Sequence, residues 1–306
     1  MKKIIALILA LVTVFSLAAC SGGEIQPEEE GGGIEKGAFN FFEFEYTDSD
    51  GNVATMKCGL YIPEKYDEAT ALPLITYIPD STYVGGAIGK TVKGECPKYW
   101  LTDDKMSSNP AFMLIFAFTT PAASVTDEHT QAGQIVNIID KVCSEYKIDT
   151  NRLYLTGQSM GGIMDFALND AYPDKFAATL YVGCQPGGEV HDAQYDSIIA
   201  NGKFANQTFS YIASAKDGKA PYGQDDVMTV LTKKGITYGY LDGIDHLGGD
   251  ATSAAVKAVL DEGHEQNIFR FAQVTESGAA NQEHMQSFQY AYMIDSLFYW
   301  LMAQSK

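Results

Sequence analysis

The sequence predicts an α/β protein, built on a mostly parallel sheet with helices on both faces and opening with an antiparallel hairpin. Short runs that are apolar on both faces, the mark of a covered parallel sheet, recur along the chain with helical patterns between them. With 46% hydrophobic and 20% charged residues in 306, the chain can also bury a sizeable core. The βαβα order, sustained over roughly 200 residues, argues for one domain rather than two.

In chain order, Phe42, Phe44 and Tyr46 alternate with Glu43 and Glu45, and Met56, Cys58, Leu60 and Ile62 alternate with Thr55, Lys57 and Tyr61. Asp50-Gly51 lies between the two runs, which together predict a β-hairpin. Continuous strands are expected at Leu74 to Ile78, Phe112 to Phe118, Arg152 to Thr156, Ala177 to Gly183 and Phe209 to Ala213. Ile135, Ile138, Ile139, Val142 and Tyr146 share one face of a helix. A further apolar run, Asn267 to Val274, precedes a closing helix expected over Phe288 to Met302. No internal repeat is visible.

The N-terminus reads as a targeting signal followed by a tether. Lys2 and Lys3 precede the apolar run Ile4 to Phe15, too short to span a bilayer comfortably. It ends in Leu17-Ala18-Ala19-Cys20, a quartet that resembles the bacterial lipobox, in which the cysteine receives a diacylglyceryl group and becomes the first mature residue. Residues 1–19 are thus expected to be a lipoprotein signal peptide. Residues 20–37, rich in Gly and Glu, form a flexible tether, and 38–306 the folded domain. The membrane partner is expected through a lipid on Cys20, placing the domain outside the cytoplasm.

Charge removes one class of partner. Twenty-one basic residues stand against 39 acidic, a net of −18, and guanidinium comes only from Arg152 and Arg270. A nucleic-acid surface needs clustered Lys and Arg, so none is expected. Of the five cysteines, Cys58, Cys96, Cys143 and Cys184 read as buried thiols, with a Cys58 to Cys96 bridge open in an exported protein. There is no H-E-x-x-H, no paired C-x-x-C and no G-x-G-x-x-G after a strand, so neither metal nor cofactor is expected.

The most specific signal lies between Asp149 and Tyr172. The Arg152 to Thr156 strand runs into Gly157-Gln158-Ser159-Met160-Gly161, and a helix follows to about Tyr172. This is the G-x-S-x-G elbow in its strand-turn-helix context. The turn is so tight that its flanking positions must lack side chains, and the serine hydroxyl projects above the sheet. The Met160 amide, at the helix start, points where a tetrahedral oxyanion would form.

From Phe42 to Gln304 the chain resembles the α/β-hydrolases, within them the secreted esterases and predicted peptidases related to polyhydroxybutyrate depolymerases and feruloyl esterases. The likeness is densest where Tyr146, Asp149 and Arg152 precede the elbow and Tyr172-Pro173-Asp174-Lys175-Phe176-Ala177 closes its helix. Leu60-Tyr61-Ile62-Pro63 and Leu72-Pro73-Leu74 match the opening of such proteins. One segment departs. Family members usually carry His-Gly after the central strand, where an amide completes the oxyanion hole, but this chain has Pro79-Asp80-Ser81-Thr82. The amide of Ser81 is a candidate donor, with the Asp80 carboxylate an uncomfortable neighbour.

The resemblance implies the chain order nucleophile, acid, histidine. That order excludes His129, and His191 follows Ser159 too closely to leave room for an acid-bearing strand. His264 is a further candidate. His284 sits in Asn281-Gln282-Glu283-His284-Met285-Gln286-Ser287-Phe288, and matches the family pattern of a loop histidine with an aromatic four residues on (Phe288), a tyrosine (Tyr292) and a closing Trp300-Leu301. His246, after the run Ile236 to Leu241, is its rival. Asp217, in the loop after the Phe209 to Ala213 strand, takes the position of the acid, with Asp225, Asp226, Asp242 and Asp245 as alternatives. The expected function is a serine hydrolase cleaving a carboxylic ester, small or polymer-linked, through Ser159, His284 and Asp217. A serine peptidase on the same fold and a non-catalytic glycan- or peptide-binding lipoprotein are the alternatives.

Overall fold

The computed structural model describes residues 35–121 and 124–306. The signal peptide, Cys20 and all but the last three residues of the tether therefore lie outside the described residues.

Among the described residues, nine strands form one sheet in the order β1-β2-β4-β3-β5-β6-β7-β9-β8. The hairpin pairs β1 (Ala38–Thr47) with β2 (Val53–Ile62), in a register that sets Phe42 opposite Cys58 and Phe44 opposite Met56. Phe42 and Phe44 are buried while Glu43 and Glu45 face out, as a period of two requires. Asp48 Oδ1 accepts from the amides of Asp50 (3.0 Å) and Asn52 (2.8 Å), and Gly51 takes φ +81° to close the turn.

β2 also pairs antiparallel with β4 (Phe112–Ala117); from there the sheet is parallel through β3 (Leu72–Ile78), β5 (Ile148–Gln158), β6 (Ala178–Val182), β7 (Phe209–Ser214), β9 (Gln266–Gln273) and the edge strand β8 (Gly239–Asp245). Every residue of β3, β4 and β6 is buried, because helices cover both faces.

One face carries α1 (Ile88–Thr91), α2 (Glu95–Trp100), α3 (Asp103–Ser108), α8 (Asp250–Leu260), α9 (Ala280–Met293) and α10 (Asp295–Met302), which bury Trp100, Val256, Tyr292 and Phe298 against Ile75, Tyr77, Tyr154 and Phe269. The other carries α4 (Ile135–Glu145), α5 (Met160–Ala171), α6 (Ala193–Asn201) and α7 (Ala220–Lys233). There Ile135, Ile138, Ile139 and Val142 pack with Met164 and Leu168 on Leu74, Leu153 and Leu155. Each such side chain contributes about 1.5–3 kcal/mol by leaving water. Tyr172 leaves helical geometry just before Pro173 and ends α5.

The two faces settle the cysteines. Cys58 packs among the α4 and α5 residues and Cys96 among those of the opposite face, so the sheet stands between them; both thiols are free and buried. Two further expectations are corrected. The closing helix is two helices, interrupted where Ile294 takes φ −77°, ψ 100°. The strand that would precede the rival His246 lies not over the run Ile236 to Leu241 but at Gly239–Asp245, with irregular pairing between Leu241 and Ile244 around Gly243.

Candidate active site

All the parallel strands end on one edge of the sheet, and the loops leaving that edge meet around the turn from β5 to α5, the usual ligand crevice of an open α/β sheet. Ser159 occupies that turn with φ 50°, ψ −115°. A non-glycine residue costs roughly 1–3 kcal/mol in such a region. Its amide donates to Val182 O (3.0 Å) and its carbonyl accepts from Ile163 N (3.0 Å), which hold the turn. A β-carbon on Gly157 would strike the backbone of Gly161, and one on Gly161 would strike the carbonyl oxygen of Ile78. Backbone contact this close sets the start of α5 directly against the end of β3.

His284 Nε2 lies 2.8 Å from Ser159 Oγ, and His284 Nδ1 lies 2.6 Å from Asp217 Oδ2. Residues separated by 58 and 67 positions thus form one hydrogen-bonded chain. Asp217 is nearly sealed, its side chain 2% exposed, against 23% for His284. Its second oxygen accepts from the amides of Lys219 (2.9 Å) and Ala220 (3.2 Å) at the start of α7, which leaves Oδ2 for the imidazole. The ring of Phe288 meets the imidazole edge-on, centroids 5.0 Å apart. His284 does not sit in a loop as the family resemblance implied; it lies in the second turn of α9.

The two candidate oxyanion donors, Met160 and Ser81, each begin a helical turn. Met160 is the first residue of α5, and its N–H is one of the donors a helix leaves without an intrahelical acceptor. Ser81 begins a 3-10 turn (Ser81–Tyr83) whose N-cap is Asp80. Asp80 is buried and turned inward: Oδ1 accepts from Thr82 N (2.8 Å) and Oδ2 from Gln158 Nε2 (2.7 Å). Gln158 Oε1 in turn accepts from the hydroxyl of Tyr77 (3.2 Å).

The other histidines stand apart from Ser159. His246 stacks edge-on against Tyr290 at 4.4 Å. His129 Nδ1 meets Thr47 O at 3.0 Å, His191 meets Asp196 at 3.3 Å, and His264 meets Glu262 at 3.3 Å. Of the alternative acids, Asp225 pairs with Arg270, Asp226 accepts from Tyr195, and the Asp242 and Asp245 carboxylates accept from Gly243 N and Leu247 N. Among the described residues no three His, Cys, Asp or Glu side chains gather as a metal site would require.

Sequence reasoning gives no role to two buried acids. Glu283, beside His284, is fully enclosed and takes four hydrogen bonds. Its position next to a candidate base, in an otherwise polar stretch, is the one signal it gives. Asp165 on α5 is also fully buried, and neither carboxylate oxygen has a hydrogen-bond donor. Burial pushes its carboxyl well above the ordinary range.

Sheet order, elbow and crossovers define an α/β-hydrolase fold. No protein-family model matches the chain. It is 28% identical over 159 residues to feruloyl esterase B of Talaromyces funiculosus, covering 47% of this chain and 44% of that protein. It is 26% identical over 137 residues to acetylxylan esterase A of Aspergillus ficuum, covering 40% and 45%. The chain therefore matches a little under half the length of these curated relatives. Among solved structures, a thermostable esterase superposes with a TM-score of 0.60 at 17% identity, over 87% of this chain and 63% of the other. The feruloyl esterase module from Clostridium thermocellum, complexed with sinapinate, gives 0.56 at 13% identity over 94% and 96%. The chain is an α/β-hydrolase-fold protein related to the feruloyl and acetylxylan esterases.

Proposed function

We propose that the protein is a carboxylic ester hydrolase that works through a Ser159-His284-Asp217 triad and an acyl-enzyme, held outside the cytoplasm by a lipid on Cys20. The observation that carries this reading is the hydrogen-bonded chain from Ser159 through His284 to Asp217, at 2.8 and 2.6 Å. The named relatives, feruloyl and acetylxylan esterases, point to small acyl groups esterified to a larger alcohol, including a polymer.

His284 Nε2 takes the proton of Ser159 as Oγ attacks the ester carbonyl carbon. The carbonyl oxygen becomes an oxyanion that accepts hydrogen bonds from the amides of Met160 and Ser81. As the tetrahedral intermediate collapses, the imidazolium returns its proton to the departing alcohol and leaves the acyl group on Ser159. Water, deprotonated by His284, then attacks the acyl carbon, and the acid is released with Ser159 restored. Asp217, fixed by two amides, keeps Nδ1 protonated so that Nε2 is the basic nitrogen. The strain at Ser159 and its contact with an imidazole favour this over a binding protein that merely uses the fold. Ester is favoured over peptide by the named relatives.

The test is labelling with a fluorophosphonate, followed by turnover of a panel of acetyl, feruloyl and p-nitrophenyl esters. Ser159→Ala should lose both labelling and hydrolysis while keeping its circular dichroism. A folded Ser159→Ala protein with near wild-type turnover would move the nucleophile elsewhere.

A further inference from the structure

Glu283 is the buried group nearest in sequence to the proposed base, and the mechanism above gives it no role. Its carboxylate lies at the junction of three elements. Oε2 accepts from Ser214 Oγ (2.5 Å), the last residue of β7, and from the amide of Val274 (2.8 Å), just past β9. Oε1 accepts from the amide (2.8 Å) and hydroxyl (2.5 Å) of Thr275. Glu283 itself is in the first turns of α9 and is 0% exposed. Burial alone would raise its carboxyl, but the hydrogen bonds from Ser214, Thr275 and the Val274 amide outweigh it and hold it below the usual carboxylate range. Four donors on two oxygens fill most of what a carboxylate accepts.

This clamp joins the parts the reaction needs in register. The loop after β7 carries Asp217, the turn after β9 leads into α9, and α9 carries His284. The stretch from Asn281 to Ser287 has no apolar periodicity of its own, so its helical start is held by tertiary bonds. We propose that Glu283 is a positioning residue for the ester hydrolysis: its carboxylate fastens the first turns of α9 to the ends of β7 and β9 and so holds the His284 imidazole on the line between Asp217 and Ser159.

The inference rests on the triad reading, and its consequence is specific. Loosening the clamp displaces the base without touching the substrate, so turnover should fall while binding is kept. A misplacement of about 1 Å at a reacting group can cost on the order of a hundredfold in rate. In Glu283→Gln an amide NH2 replaces one oxygen and faces a backbone N–H, which breaks half the clamp. Thr275→Ala removes one donor and leaves the carboxylate, whereas Thr275→Ser keeps the hydroxyl.

The experiment measures kcat, KM and the fluorophosphonate labelling rate for Glu283→Gln, Thr275→Ala, Thr275→Ser and His284→Ala, at equal folded concentration fixed by near-UV circular dichroism. Expected are a kcat loss of roughly 30- to 100-fold for Glu283→Gln and about 3- to 10-fold for Thr275→Ala, each with KM within about twofold and a parallel fall in labelling. Thr275→Ser should restore the Thr275→Ala loss. Placed on His284→Ala, Glu283→Gln should cost little more, because the two act as one unit. Should Glu283→Gln not fold, Thr275→Ala against Thr275→Ser decides. An inactive His284→Ala beside folded clamp variants of unchanged kcat, or with the loss in KM, overturns the role of Glu283 alone. An active His284→Ala overturns the triad reading itself.

Discussion

Replacing Asp165 by asparagine should change how stability depends on pH, and the sign follows from its surroundings. The carboxyl is fully buried on α5 with no donor on either oxygen. Oδ2 lies 2.7 Å from where a β-carbon on Gly157 would be, so the group is wedged beneath the elbow strand. Tyr181, Cys184, Cys96 and Tyr292, the titratable groups that feel its charge, are themselves pushed up by burial and offer no compensating cation. Asp165 is therefore neutral in the folded protein well above its ordinary pKa.

In the unfolded chain it loses its proton near pH 3.9. Above that point the folded state binds one more proton than the unfolded state, so stability falls as pH rises, by about 1.4 kcal/mol per pH unit, until the folded carboxyl also ionises. The contribution is fully present below the unfolded pKa and is lost through the window above it. Asparagine keeps the shape and cannot titrate, so its own packing cost is the same at every pH. Urea unfolding of both proteins from pH 4.5 upward isolates the term: their difference should change in favour of Asp165→Asn by about 1.4 kcal/mol per unit, roughly 2–3 °C in Tm for a domain of this size. Parallel stability curves over that range would mean that Asp165 is charged and paired in the folded protein, and would refute the reasoning.

The remaining predictions concern the base and the anchor. His284→Ala should lower ester turnover about as far as Ser159→Ala, since triad members act as a unit, while His246→Ala should change it several-fold at most through its contact with Tyr290; an inactive His246→Ala beside an active His284→Ala would reverse the assignment. Asp217→Asn should keep the fold and lose rate through the wrong imidazole tautomer, which turnover at equal folded concentration checks. Cys20→Ala should leave the protein unprocessed or release it from the membrane fraction; unchanged fractionation with a mature N-terminus elsewhere would sink the lipid anchor.

The parts of the fold that are legible in the sequence are those set by local pattern. β3, β4 and β6 read as strands because every position in them is apolar or small enough to bury, and the elbow reads because Gly157 and Gly161 leave no room for a side chain. Features set by tertiary contact do not read. Asn281 to Ser287 looks like a loop because its deeply buried anchors, Glu283 and Ser287, are polar, and the partners of the Glu283 carboxylate come from β7 and from beyond β9. Edge strand β8 is displaced from its apolar run because irregular pairing around Gly243 carries it on to Asp245. Cys58 and Cys96 are compatible with a bridge in sequence and are separated by the thickness of the sheet in space.

The Pro79-Asp80 segment shows why a departure from a motif must be judged by where its side chain goes. A carboxylate beside an oxyanion would oppose the reaction if it faced the developing charge. Asp80 instead spends one oxygen on the Thr82 amide, capping the turn that begins at Ser81, and the other on the side chain of Gln158. Gln158 precedes Ser159 in the chain and is held from below by Tyr77 of β3. The chain of contacts from Tyr77 through Gln158 to Asp80 therefore ties the loop bearing one proposed oxyanion donor to the residue immediately before the proposed nucleophile. Asp80 works here as an N-cap and a bolt, and the variable position before the serine in G-x-S-x-G gains a structural role. With the turn fixed at both ends, the Ser81 amide is set by the same contacts that set the elbow, as an oxyanion donor paired with Met160 requires.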